Sequence, residues 1–224
     1  MRLYSADTQT WEHRDRALAA GHPGAIRWEA MSVEERLEIE PEEALEVWIH
    51  WERGPMIVDD LRTLPRTPLI VAEGTTLLPD LVDRENALWL EWPTAVPDDP
   101  VVRHFAAAIM ERAREHGIPV LTVDASVEET IEAVEEHFSV ALAKGPRAES
   151  VDERRALLRE SNEALVFQVR TGIARPWATG DVESVTRDFL CECDDPECRE
   201  VLVLAVADFE RRAAAGRVLA HRRR

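Results

Sequence analysis

Short apolar runs alternate with helical stripes along most of this chain. Leu69 to Ala72 is a run of four that follows Pro68 and ends on one carboxylate, Glu73, and a glycine. A brief run bounded by turn residues reads as a buried strand. "NALWLEWP" (86–93) and "IPVLTVDAS" (118–126) repeat the pattern, the latter ending at Asp124, and "RLYSA" gives a shorter strand ending at Asp7. Between them lie helices. Residues 99–117 form an amphipathic stripe stopped by Gly117, and 126–145 a helix capped by Ser126 with Glu129 three residues on. Ser32 with Glu35 is a second capping box, Pro41 starts a further helix, and "TWEHRDRALAAG" is helical up to Gly21. "GPMIVDDLRTLP" fits either a strand or a helical stripe.

Strands that alternate with helices imply an α/β domain with a parallel sheet. Such sheets bind ligands at the carboxyl ends of their strands, so Asp7, Glu73 and Asp124 are expected on one rim. Composition shifts after Gly145. A helix is expected from about Val151 to Arg170, then a cysteine cluster, then a last helix in "VLAVADFERRAAAG". The expected division is an α/β domain over 1–145 and a small helical module over 146–224.

The formal net charge of -17 disfavours nucleic acid and anionic lipid as partners. No stretch approaches the roughly 18 apolar residues of a membrane span. The first 20 residues are polar, and the 3 cysteines are an odd, clustered set. Both features argue against a secreted disulfide framework and for a cytoplasmic protein. Lys144 is the only lysine; the other basic residues are arginines, a bias that suggests a GC-rich genome.

The cluster reads "CECDDPEC", with Cys191, Cys193 and Cys198 in the spacing C-x-C-x4-C. Three thiols so spaced can fold back on one ion, and Zn2+ takes four thiolate or imidazole ligands in a closed structural site. His221, after the expected last helix, is the candidate fourth ligand. Reduced thiols without metal are the alternative. No HExxH or similar catalytic zinc pattern occurs.

The order of "LYSADT", "PLIVAEGTTLLP", "ALWLEWPT" and "IPVLTVDASVEETIEAVEEHF" resembles the P-loop kinase group, the nucleoside and metabolite kinases. It is most similar to actinobacterial members that carry a Cys-containing tail. Those tails have a histidine in a "GH" pair, whereas this chain has "LAHRRR". The group's G-x-x-x-x-G-K-[ST] loop is missing. Lys144, in "LAKGPRA", lacks the glycine before it and the Ser or Thr after it, and suits a helix C-terminus. In the resembled fold the first strand is central, flanked by the third and fourth, and "RLYSA" matches the second. Either the protein begins roughly 20 to 40 residues upstream, the length of one βα unit, or the chain is a shortened form.

The resemblance implies an ATP-dependent small-molecule phosphotransferase, truncated at its N-terminus, with ATP and Mg2+ as cofactors. Asp7 would face the phosphate acceptor or the magnesium shell, or else cap a turn. Glu73 would hold Mg2+ through water, or else accept from the amides of "GTT". Arg103, with Arg112 and Arg114, falls where such kinases keep a lid, or else lies on a helix surface beside Glu111 and Glu115. Asp124 and Ser126 would border the adenine. Trp48, Trp51, Trp89 and Trp92 fit a flat-ligand pocket or, better, core packing. The alternative function is an inactive kinase-like scaffold, a zinc-containing binding or regulatory protein. An uncovered inner sheet edge would invite a homo-oligomer.

Overall fold

The computed structural model describes residues 1–91, 99–123 and 126–221. Ten helices and six strands occur among them: β1 (Arg2–Ser5), α1 (Thr10–Ala19), α2 (Pro23–Ala30), α3 (Val33–Leu37), α4 (Pro41–Val47), α5 (His50–Thr63), β2 (Ile70–Glu73), β3 (Trp89–Glu91), α6 (Pro100–Glu115), β4 (Val120–Thr122), α7 (Val127–His137), α8 (Ser139–Lys144), α9 (Val151–Ile173), β5 (Thr186–Leu190), β6 (Val201–Ala205) and α10 (Val206–Ala214). The chain divides into two units. One joins Met1–Glu12, Pro65–Gly74 and Pro146–Arg224; the other joins His13–Leu64 and Thr75–Gly145. None of the described helices is long and apolar enough to cross a membrane.

In the first unit β1 and β2 pair in parallel, from Arg2 opposite Ile70 to Ser5 opposite Glu73. Helix α9 packs against β1, and Arg2 Nε donates to Glu160 at 2.8 Å. Ser150 caps α9, accepting from Glu153 N–H at 3.1 Å. One face of α9 supplies Val166 and Val169 to a core completed by Phe189, Val206, Phe209 and Leu219. Phe189 and Phe209 stack with centroids 4.4 Å apart.

Strands β5 and β6 form an antiparallel hairpin, Thr186 opposite Ala205 and Leu190 opposite Val201. This corrects the expected last helix, which begins at Val206 instead of Val203. The run Val201–Ala205 is short and rich in β-branched residues, and in the hairpin it alternates between exposed and half-buried. Gly216, at φ 66, ends the helical stretch, with Arg217 N–H donating back to Arg212 C=O at 2.9 Å.

The second unit is mainly helical. The segment that fitted either pattern is helix α5, with Ile57 fully buried. Leu45, Leu78, Phe105 and Ile109 form a core that Trp51 and Trp89 cover. Trp28 meets Trp48 edge-on. Trp51, Trp89 and Trp48 thus serve packing, and Trp92 lies outside the described residues. The helix expected over 126–145 is interrupted at Phe138 and becomes α7 and α8.

Strands β3 and β4 pair in parallel, Trp89 opposite Val120 and Glu91 opposite Thr122. The expectation of one parallel sheet is corrected here. The described strands form β1-β2, β3-β4 and β5-β6, each two-stranded. A ladder needs adjacent backbones, and among the described residues no strand bridges β2 to β3.

Candidate metal centre

Cys191 directly follows β5, and its N–H donates to Glu200 C=O at 3.1 Å, extending the hairpin by one rung. Asp195 then folds the loop back. Its side chain accepts from Glu197 N–H at 3.0 Å and its carbonyl from Cys198 N–H at 3.2 Å. That turn returns Cys198 toward Cys191 and Cys193. Beyond α10, Gly216 turns the chain so that Leu219 enters the core and His221 reaches the cysteines.

His221 Nδ1 lies 3.2 Å from Cys191 Sγ and 3.6 Å from Cys198 Sγ. All four donor atoms, including Cys193 Sγ, lie within 4.8 Å of one another. Around tetrahedral zinc, bond lengths of about 2.3 Å to sulfur and about 2.0 Å to nitrogen give S–N edges of about 3.5 Å. The donor set and spacing therefore fit a Cys3His centre able to hold a metal such as zinc. The His221 backbone N–H also points at Cys191 Sγ, at 3.4 Å.

The thiols influence one another. Burial pushes Cys198 up to about 11, and the Cys193 and Cys191 thiols add to the rise. Burial alone would raise Cys193, but hydrogen bonds at Asp195, Cys198 and Cys191 bring it below the usual thiol value. Crowded thiols resist ionising together, and a cation among them relieves that resistance.

Helix α9 forms the wall behind the cluster. Arg154 Nη1 donates to Cys193 C=O at 2.8 Å and Arg155 Nε to Glu192 C=O at 3.1 Å. Glu192, between two candidate ligands, has a buried carboxylate that receives Arg159 Nε at 2.7 Å and Arg159 Nη2 at 2.5 Å. Its remaining contacts are Asn162 Nδ2 at 3.1 Å and Leu219 N–H at 3.1 Å. Sequence reasoning named the four candidate ligands that the structure brings together, and missed Glu192, Arg159 and Asn162. The available signal was the spacing of Arg155, Arg159 and Asn162, which lie on one helical face.

The other predicted residues fall elsewhere. Asp7 follows β1 in a 3-10 turn, where its carbonyl accepts from Thr10 Oγ1 at 2.7 Å and Gln168 Nε2 at 2.8 Å. Glu73 ends β2 opposite Ser5. Partial burial pushes its carboxyl above the usual range, a Ser5 hydrogen bond opposes this, and the Asp7 charge adds to it. Asp7 and Glu73 thus share one end of a two-stranded sheet.

Arg103 belongs to the second unit, in the first turn of α6. Helix α6 is continuous over its 16 residues. Arg112 lies over the Trp51 ring at 4.5 Å, and Arg114 is 3.5 Å from Glu91. Asp124 lies outside the described residues, so it joins no described rim. Ser126 caps α7 in the expected capping box.

No family model matches this chain, and no match to it occurs among curated proteins or solved structures.

Proposed function

We propose that this chain is a zinc-containing binding or regulatory protein whose tail is organised by a structural Cys3His site. One observation carries the reading: three clustered thiols and a histidine 23 residues further on have their ligand atoms within 4.8 Å of one another. A set of four protein ligands closes the tetrahedron and leaves no position for a reacting water, so the ion serves folding. The test is metal analysis of protein purified without chelator. About one equivalent of zinc, lost in Cys191→Ser, Cys193→Ser or Cys198→Ser, supports the reading. Less than roughly 0.2 equivalents with three freely titrating thiols overturns it.

A second reading keeps the kinase-like scaffold, and a specific feature favours it. In the resembled group the central strand stands between the strands that β2 and β3 match. Here the parallel strands fall into β1-β2 and β3-β4, divided at that point. Asp7 and Glu73 then lie at one strand end, where a phosphotransferase using ATP and Mg2+ on a small molecule would hold its metal. Calorimetric titration with ATP tests it: magnesium-dependent binding that Glu73→Gln abolishes supports it, and absence of binding sinks it for this chain.

A further inference from the structure

We propose that Glu192 is a positioning residue for the metal centre, setting the register of the chain that delivers His221. The inference rests on the zinc reading above. Residues 217–221 lie outside any helix or strand and are held at alternate positions. Arg217 C=O accepts from Arg159 Nη2 at 2.8 Å. Leu219 is held through both backbone groups: its N–H donates to the Glu192 carboxylate at 3.1 Å, and its C=O accepts from Glu192 N–H at 2.6 Å. Leu219 is also only 1% exposed, whereas Val218 is 47% exposed. Exposure alternates along the segment, with positions 218 and 220 exposed, Leu219 buried and His221 half-buried, so a segment fixed at Leu219 keeps His221 on its inner side. A slip of one residue would turn the imidazole away.

Glu192 is suited to this role because its carboxylate ties three pieces together. Arg159 and Asn162 come from α9, Leu219 from the tail, and the backbone of Glu192 is the loop itself, between two ligands. Arg159 is in turn held over the Phe209 ring at 5.3 Å. An ionised carboxylate can accept all of these donors at once; a carboxamide cannot. The fourth ligand is thus brought to the metal by a contact that involves no ligand atom.

Cobalt(II) titration of the full chain tests the proposal, because the visible spectrum reports ligand identity. Wild-type protein is expected to give a tetrahedral three-sulfur, one-nitrogen spectrum. Glu192→Gln should retain the three-thiolate charge-transfer intensity but shift its d–d bands to those of His221→Ala. Its cobalt affinity should fall roughly tenfold, the scale of outer-shell effects. Combining Glu192→Gln with His221→Ala should weaken binding no further than His221→Ala alone.

A wild-type spectrum and affinity in Glu192→Gln, or losses that add in the double variant, would overturn the role while leaving the metal reading intact. Absence of any cobalt spectrum in wild-type protein overturns both. If Glu192→Gln does not fold, Arg159→Met with Glu192→Leu replaces the pair by apolar volume. That variant should fold and show the His221→Ala spectrum. A wild-type spectrum in it, or failure of both variants to fold, refutes positioning in favour of a purely architectural ion pair.

Discussion

Asn162 pairs with both backbone groups of Leu190: its side-chain oxygen accepts the N–H at 2.8 Å, and its amide donates to the C=O at 3.0 Å. A helix side chain thereby occupies the place of a neighbouring strand on β5, one residue before the first cysteine. Asn162→Ala leaves both Leu190 groups short of a partner, while Glu192 Oε1 keeps Arg159 Nε. The expected loss is about 2–4 kcal/mol in urea unfolding, from two buried groups left unsatisfied. A loss near zero would show that water replaces the side chain.

On the proposed zinc reading, removal of the metal should loosen the tail of the first unit. Structural zinc contributes about 10–16 kcal/mol in zinc-finger peptides. About a third of that corresponds to a fall of about 10 °C in melting midpoint for a chain of this size. Differential scanning fluorimetry with and without chelator measures it. Limited proteolysis of the chelated protein should cut within 191–221, and restored zinc should protect it.

His50 makes the second unit acid-sensitive. Burial lowers its imidazole to about 3, with Arg53 adding to the effect, and its ring lies against Phe105 with centroids 3.6 Å apart. Burial likewise lowers His13. The folded value is depressed below the usual 6.5, so the unfolded chain binds the proton first and stability falls as pH drops below 6.5. Between pH 7 and pH 5 His50 should cost about 2 kcal/mol. Urea midpoints at the two values measure it, and His50→Leu should remove that share. An equal pH dependence in wild type and variant would assign the effect to other groups.

Two glycines give a graded test of helix packing. A Cβ at Gly24 would stand 2.3 Å from the Glu46 carbonyl oxygen, which is backbone. At Gly54 the nearest atoms are Leu78 and Leu81 side-chain carbons, at 2.6 and 2.8 Å. Alanine gains about 1 kcal/mol of helix propensity at either position, but overpacking costs about 1–3 kcal/mol. Gly24→Ala should therefore destabilise clearly and Gly54→Ala less, because leucine side chains move more easily than a helix backbone. Equal effects in denaturant unfolding would contradict this ordering.

Much of the local structure was legible because its signals are local. Ser32 with Glu35 and Ser126 with Glu129 form the capping boxes their spacing predicts. The parallel strands at 70–73 and 120–122 lie within the apolar runs that marked them. The hairpin was not legible: "VLVLAVADFERR" passes continuously from a strand into a helix, and only pairing with β5 decides the boundary. The candidate metal ligands stood out because all three cysteines of the chain fall between positions 191 and 198.

Glu192 did not stand out. It is one acid in a stretch crowded with them, and nothing local separates a buried carboxylate from a solvated one. Asp60 has the same history. Its neighbour Asp59 pairs with Arg62 on the surface. Asp60 turns inward to His13 at 2.7 Å and Arg16 at 2.6 Å. Such partners, more than 40 residues away, leave no trace in the neighbouring sequence.

The segment after α10 has a consequence for how its sequence is free to vary. Its anchors at Arg217 and Leu219 use main-chain atoms, which every residue except proline supplies in full. Chemical identity matters only where an apolar side chain fills the core and where an imidazole meets sulfur. Positions 217, 218 and 220 can then change widely while the same loop and helix are still joined and the imidazole still meets the thiols, so beyond the turn at Gly216 two letters spaced two apart carry the specification of this tail.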